Sequence, residues 1–304
     1  MKVVTYRNGF DYHSENGIAL CLGFFDGLHL GHQALISKAL KENKEVGVLT
    51  FTGSMKSLTN QRSKDLVLTS LKEREQLLDR MGVKCLFVLP FTQDVCSMSP
   101  LDFINNVLKP IGVSRIYIGS DFRFGYKAEG DASLLEKYFK VEIVDFVMSD
   151  ENRKISSRDI ISLIQRGEIK EADASLGREY SIEGTVAHGL HNGTSLGFPT
   201  ANIVPDDTFV IPSNGVYATK LLFKGKYYLS MTNIGTHPTI DKLDKPDIET
   251  NIFDFDEDIY NDPAVLFFID RIRDEKKFDS IADLVNQLHH DRDYIKKKYK
   301  LNTK

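Results

Sequence analysis

The sequence predicts a two-part α/β chain: a doubly wound parallel sheet over residues 1–178, then a small antiparallel β-barrel with one C-terminal helix over 179–304. Three observations predict it. Strand-like and helical runs alternate through the first half, the grammar of parallel strands joined by crossover helices. From about Tyr180, strand-like runs follow one another with only turns between them, as in antiparallel barrels and sandwiches. At 304 residues the chain is long enough to bury two cores.

In the first half the strand-like runs are Ile18–Gly23, Glu45–Phe51, Val83–Leu89, Arg115–Gly119 and Val141–Val147. Helical runs fall between them at Gly31–Lys41, Ser70–Met81, Pro100–Leu108 and Ala132–Phe139. In the first of these Leu35, Ile36, Ala39 and Leu40 recur at helical spacing. Ser99-Pro100 reads as a cap followed by proline at the first helical position. Two short helical runs, Arg158–Gln165 and Glu168–Leu176, read as a connector. Beyond it come Ser181–His188, Gly215–Phe223, Lys226–Asn233, Ile248–Phe255 and Ala264–Arg273, with Lys224-Gly225 as one of the turns. The last helix places Ile281, Leu284, Val285 and Leu288 on one face, with Asp279 or Ser280 as its cap.

Composition bounds the function. Hydrophobic residues make up 41% and charged residues 27%, the balance of a soluble globular protein. A net charge of −4 argues against a general nucleic-acid binder. The basic run Lys296-Lys297-Lys298-Tyr299-Lys300 suits the end of a helix, where cations meet the negative pole of its dipole. No apolar run approaches the roughly 18 residues of a membrane span. Asp11, His13 and Glu15 stand where a signal peptide needs its apolar core. Cys21, Cys85 and Cys96 form no CxxC pair, so free thiols in a reducing cytoplasm are expected.

The segment Gly23-Phe24-Phe25-Asp26-Gly27-Leu28-His29-Leu30-Gly31-His32 joins a predicted strand to a predicted helix. Gly23, Gly27 and Gly31 let the backbone turn sharply and let a ligand approach. His29 and His32 set two imidazoles beside the unpaired N–H groups of a helix start, which suits a triphosphate. Ligands of open α/β sheets bind outside the carboxyl ends of the strands. Two plainer readings stand beside this one: a surface turn with polar histidines, or a metal pair, for which no third ligand stands at a recognisable spacing.

Further candidates lie downstream. Ile118-Gly119-Ser120-Asp121-Phe122-Arg123-Phe124-Gly125 ends another strand, where Asp121, Phe122 and Phe124 either wall a flat heterocycle or form the core of a tight turn. Ile155-Ser156-Ser157, with Arg158 next, is either a phosphate site or an ordinary helix cap. In Leu196-Gly197-Phe198-Pro199-Thr200-Ala201-Asn202, Thr200 and Asn202 are two apart, so on a strand they share a face. Their oxygens suit Mg²⁺ together with phosphate and water. Glu249 is a lone carboxylate in an alternating strand, either a general base or a solvent-facing residue. No Walker A or protein-kinase signature occurs, so any phosphoryl transfer uses another ATP site.

These segments together resemble the bacterial bifunctional riboflavin kinase/FAD synthetase family over essentially the whole chain. The first half carries the H-x-G-H signature of Rossmann-like nucleotidyltransferases. The second half is similar to riboflavin kinases through Leu196–Asn202, Gly215-Val216-Tyr217, the Asn233–Thr239 segment, Glu249–Tyr260 and Arg273–Phe278. The resemblance implies a kinase half that makes FMN from riboflavin and ATP. It implies a first half that transfers AMP from ATP to FMN, giving FAD and pyrophosphate. Both steps then need Mg²⁺, with no nucleic acid or membrane as partner.

Carried over by position, His29 and His32 grip ATP phosphates, with Gly23, Phe25, Asp26, Gly31, Ser156, Ser157 and Arg158 in the same nucleotide site. Asp121, Phe122 and Phe124 border a flavin. Gly197, Thr200 and Asn202 hold Mg²⁺–ATP in the kinase half, and Glu249 accepts the proton of the ribityl 5′-hydroxyl. Asn233, Arg273 and Phe278 shape the second flavin pocket. The chain departs from the family at Thr52-Gly53-Ser54, where a Pro-His pair is usual, at Ile161, where Arg is usual, and at Thr194-Ser195, where Arg precedes the Leu-Gly-Phe-Pro run. The first two departures sustain a second reading, a riboflavin kinase with a weak or non-catalytic first domain. A flavin- or nucleotide-binding regulatory protein is a third, opposed by the Thr200, Asn202 and Glu249 set.

Overall fold

Every second residue of the first sheet belongs to a different core, which is the physical signature of a sheet covered on both faces. The computed structural model describes residues 1–53, 66–149, 152–187, 197–235 and 246–300. Strands β1 (Lys2–Thr5), β2 (Ile18–Leu22), β3 (Val46–Thr52), β4 (Cys85–Pro90), β5 (Val113–Gly119) and β6 (Lys140–Val144) form a parallel sheet in the order β1-β4-β3-β2-β5-β6. Leu20, Leu22, Phe87 and Ile116 face one core with Phe103, Val107 and Ile111. Ala19, Cys21, Val48, Leu86 and Tyr117 face the other with Ile36, Ala39 and Leu78. The fold is therefore doubly wound, as predicted.

Local chemistry sets the helix starts. Ser70 accepts the Glu73 N–H at the head of Leu71–Met81, and Gly82 ends that helix in the left-handed region, φ 93°. Ser99 caps Pro100–Phe103 through the Asp102 N–H, as its sequence suggested. Two short elements here have no counterpart among the predicted runs. Strand β1 is only four residues, and the helix Gln93–Ser97 is five residues capped by Thr92. Elements this short carry too few residues to show a period. The predicted run Ala132–Phe139 is helical only over Ala132–Glu136, and Val141–Val147 is a strand only to Val144.

The chain divides into two compact units, Met1–Ser157 and Arg158–Lys304. The two connector helices, Ser157–Arg166 and Ile169–Leu176, thus fall mostly with the barrel rather than before residue 178. The second of them buries Ile169, Ala172 and Leu176, and Lys170 pairs with Asp270 at 2.7 Å.

In the second unit β7 (Ser181–Ala187), β8 (Ala201–Pro205), β9 (Gly215–Phe223), β10 (Lys226–Gly235), β11 (Asp247–Ile252) and β12 (Pro263–Arg273) close into a barrel ordered β10-β11-β8-β7-β12-β9. Opposed residues share a face of a sheet. The register places Tyr217, Thr232, Thr250 and Ala201 side by side on one face. The other face carries Val216, Ala218 and Met231, which pack against Ile295 of the helix Ile281–Lys298. The first face is therefore the barrel interior. Four hydroxyls there satisfy one another: Thr219 with Ser230 and Thr232, each at 2.8 Å, and Thr232 with Thr250 at 3.0 Å. The turn Lys224-Gly225 has positive φ at both residues, as a two-residue hairpin requires.

The last helix departs from the sequence reading at its start. Ser280, not Asp279, caps it through the Asp283 N–H, but Ile281 is 70% exposed. Its contact with the barrel comes further along, at Leu288 and Ile295. No helix among the described residues is long and apolar enough to cross a membrane. Cys21 and Cys85 are buried free thiols, and Cys96 is a free, half-buried one.

Candidate active sites

The strand order reverses at β2, whose neighbours β3 and β5 lead the chain to opposite sides of the sheet. Ligands of such sheets lie in the crevice outside the carboxyl ends at this switch point. Two of the segments singled out in the sequence follow directly from it: Gly23–His32 from β2 and Ser120–Gly125 from β5.

His29 is the N-cap of the helix Leu30–Glu42, and its Nδ1 accepts the His32 backbone N–H at 3.4 Å. That bond assigns the His29 proton to Nε2. The two imidazoles stack with centroids 3.6 Å apart and planes at 20°. Gly31 leaves room beneath them, where a Cβ would lie 3.1 Å from the His29 ring and crowd it. His32 Nδ1 is buried with no hydrogen-bond partner among the described residues. Burial, then His29, then Arg74 hold its pKa well below the ordinary histidine range.

The turn that carries these rings is strained. Phe25 and Leu28 have φ of 52° and 38°, a region that non-glycine residues enter at a cost of about 1–3 kcal/mol each. The strain is held by a dense set of bonds. The Asp26 carboxylate accepts the N–H groups of Leu68 and Thr69, and Thr69 Oγ1 accepts the Gly27 N–H. Arg74, 5% exposed, donates to the Phe24 carbonyl, to Thr50 Oγ1 and to the Phe51 carbonyl, and reaches Asp26 at 3.5 Å. Ser157 Oγ donates to the Asp26 carbonyl at 2.8 Å.

Several residues expected in the nucleotide site also have structural partners within the turn. The Asp26 carboxylate is engaged by the backbone it staples. Phe25 is 1% exposed and sets its ring edge-on to His32 at 5.0 Å. Gly23 leaves room for that ring, which a Cβ would approach to 3.2 Å. Ser156 is half-buried, and Arg158 is exposed in the first turn of the helix Ser157–Arg166.

The flavin segment divides in the same way. Phe124 is 5% exposed and packs on Phe103 at 5.4 Å, so the core reading holds for it. Phe122 is half-buried against the same core. Asp121 is exposed and pairs with Lys154 at 2.5 Å. An apolar rim that sequence patterning did not reveal stands at the ends of β2, β3 and β4. There Phe24, half-exposed, lies 4.8 Å from Phe51 and 6.0 Å from Phe91.

In the barrel, one register line joins the kinase candidates. Glu249 pairs with Asn202 of β8 on one side and with Asn233 of β10 on the other. Opposed residues project to the same side, here the outer face. Three residues scattered over the sequence thus form a row of carboxamide, carboxylate and carboxamide, all half-buried. Thr200 precedes β8 by one residue, and Gly197 has φ 77° with open space where a Cβ would stand. Thr194-Ser195 and the Thr236–Thr239 part of the Asn233 segment lie outside the described residues, as does Ser54.

Arg273 is tied elsewhere than expected. Its Nε donates to Asp291 of the last helix at 2.7 Å, and that carboxylate is 2% exposed. The pair anchors the helix to the barrel and leaves the half-buried Phe278 ring 5.9 Å from the guanidinium. Among the described residues no cluster of three or more His, Cys, Asp or Glu could hold a metal ion.

Family models match both halves: FAD synthetase over residues 11–159 and riboflavin kinase over 176–299. A bifunctional riboflavin kinase/FMN adenylyltransferase of Listeria monocytogenes is 37% identical over 281 residues, covering 90% of this chain and 89% of its own. The protein of the same name in Bacillus subtilis is 33% identical over 301 residues, covering 95% of each chain. A solved structure described as a macrolide-efflux protein from Streptococcus pneumoniae superposes with a TM-score of 0.91 at 33% identity. It covers 99% of this chain and 100% of that one.

Proposed function

The chain belongs to the bifunctional riboflavin kinase/FMN adenylyltransferase family, and from that membership we propose which side chains perform each reaction. It is an enzyme with both activities, a riboflavin kinase and an FMN adenylyltransferase. ATP is the co-substrate, and riboflavin and FMN are the acceptors.

For phosphoryl transfer, the observation that carries the assignment is the register line Asn202, Glu249, Asn233. Glu249 takes the proton of the ribityl 5′-hydroxyl as its oxygen attacks the γ-phosphorus of ATP and ADP leaves. Asn202 and Thr200 face the phosphates, and Asn233 holds the acceptor end. Thr200 and Asn202 offer neutral oxygens beside one carboxylate, a donor set that fits Mg²⁺ already carried by a triphosphate rather than a dedicated metal cage. Bound there, Mg²⁺ neutralises phosphate charge. Arg273 acts through the last helix and does not touch flavin.

For adenylyl transfer, an FMN phosphate oxygen attacks the α-phosphorus of ATP and pyrophosphate departs. His29 Nε2–H and the buried His32 ring stand at a helix N-terminus, where donors fixed before reaction stabilise charge on the leaving pyrophosphate. Ser156, Ser157 and Arg158 complete the nucleotide site. With Phe124 in the core, the rim of Phe24, Phe51 and Phe91 is the apolar surface that receives the flavin ring, while Asp121 and Phe122 border it. We place the functional division near residue 178, close to the start of the segment matched by the riboflavin kinase family. Three free cysteines suit a reducing cytoplasm, where we place the enzyme.

Incubation of the purified protein with riboflavin, ATP and Mg²⁺, followed by separation of FMN from FAD, tests the reading. Both products are expected. FMN without FAD would restrict the assignment to the kinase half.

A further inference from the structure

We infer that Asn251 is a positioning residue for phosphoryl transfer: its side-chain amide continues the β8–β11 ladder past the last backbone pair and so holds Thr200 in line with Asn202 and Glu249. The inference rests on the kinase-site reading above. Strands β8 and β11 pair at Glu249 with Asn202 and at Thr250 with Ala201, and there the backbone ladder stops. The next pair in that register is Asn251 opposite Thr200. Pro199, one residue earlier, has no N–H to offer a ladder. Asn251 Nδ2 takes over and donates to the Pro199 carbonyl at 2.7 Å.

Two further observations give this bond its weight. Asn251 is 7% exposed and its backbone partner is Met231 of β10, so its carboxamide is a polar group placed at the edge of an apolar cluster. A buried polar group of this kind is costly to leave unpaired. On the other side of Pro199, Phe198 is 3% exposed and lies against His289 of the last helix at 4.8 Å. Phe198 fixes where the segment lies, and the Asn251 bond fixes the carbonyl next to Thr200. Alternation then puts Thr200 and Asn202 on the side where Glu249 projects.

The test uses the full chain and a double-mutant cycle on Thr200→Ala and Asn251→Leu. It reads riboflavin phosphorylation, and the binding of Mg·ADP by calorimetry as a measure independent of turnover. Asn251→Leu is expected to lower kcat for FMN formation by about 10–100-fold, the scale of an ångström-level misplacement, and to weaken Mg·ADP. FAD formation from supplied FMN should not change. Adding Thr200→Ala to Asn251→Leu should cost less than about twofold more. Asn251→Asp, which keeps the size but cannot donate, should behave in the same direction and serves if the Leu variant does not fold. If Thr200→Ala impairs the kinase while Asn251→Leu and Asn251→Asp are normal, or the two losses simply multiply, the inference is overturned. If Thr200→Ala alone has wild-type kinetics, the kinase-site reading beneath it fails instead.

Discussion

The imidazoles of His29 and His32 stack with centroids 3.6 Å apart, and this contact bears on how the protein responds to acid. Burial, His29 and Arg74 hold His32 in its neutral form in the folded protein. The unfolded chain has no such constraint and takes up the proton as pH falls through the ordinary histidine pKa, about 6.5. Below that pH the unfolded state binds more protons, so stability falls as acid is added. Denaturation from pH 7.5 to 5 should show this slope, and His32→Gln should flatten it. His32→Ala should abolish FAD formation and leave FMN formation intact. A wild-type slope in His32→Gln would mean that another group titrates.

Arg74 should matter to one reaction and not to the other. Its guanidinium joins the Phe24 and Phe51 carbonyls, Thr50 and Asp26 beneath the strained turn. Removing one partner of a buried ion pair typically costs about 3–5 kcal/mol. Arg74→Met should lower the melting temperature of the first unit and suppress FAD formation, with riboflavin phosphorylation unaltered. Arg74→Lys keeps the charge but not the fork, and should fall between. Equal losses in both activities would indicate general unfolding.

Glu249→Gln keeps the shape of β11 and removes the carboxylate proposed as the base. FMN formation should drop by about 10²–10⁴-fold, the usual range for a single general base, while FAD formation from supplied FMN persists. Near-normal phosphorylation would make Glu249 a solvent-facing residue.

The barrel should need its preceding helices. A fragment beginning at residue 180 lacks Ile169 and Leu176, both buried, and the Lys170–Asp270 pair. Burying one such side chain contributes about 1.5–3 kcal/mol, so two are a large fraction of the stability of a small domain, about 5–15 kcal/mol. A fragment of residues 158–304 should fold and make FMN, with a higher melting temperature than 180–304. Equal melting temperatures would place those helices outside the folding unit.

Asp173 sits in the same helix and accepts the Tyr180 N–H at 2.7 Å, yet burial raises its pKa to about 7. Between about pH 4 and 7 the folded state keeps a proton that the unfolded state releases, so stability falls as pH rises through that window. Asp173→Asn, which still accepts from Tyr180, should melt several degrees above wild type at pH 8. Below about pH 4 the two should converge. A constant difference at both pH values would exclude titration of Asp173 as its cause.

The two-part architecture is legible in the residues alone, since alternation of periods is a local property and survives in one dimension. The helix cap at Ser99, the hairpin turn at Lys224-Gly225 and the H-x-G-H turn were legible for the same reason. Side-chain direction was not. Asp26, Phe25 and Arg273 have the residue types of ligand-binding groups, but their partners are Leu68 and Thr69, His32, and Asp291. Arg74 escaped notice because its acceptors are mainly backbone carbonyls and hydroxyls far along the chain. Only the closed barrel put Asn202, Glu249 and Asn233 in one row, because register between strands is set by the packing of a whole face rather than by any of the three segments.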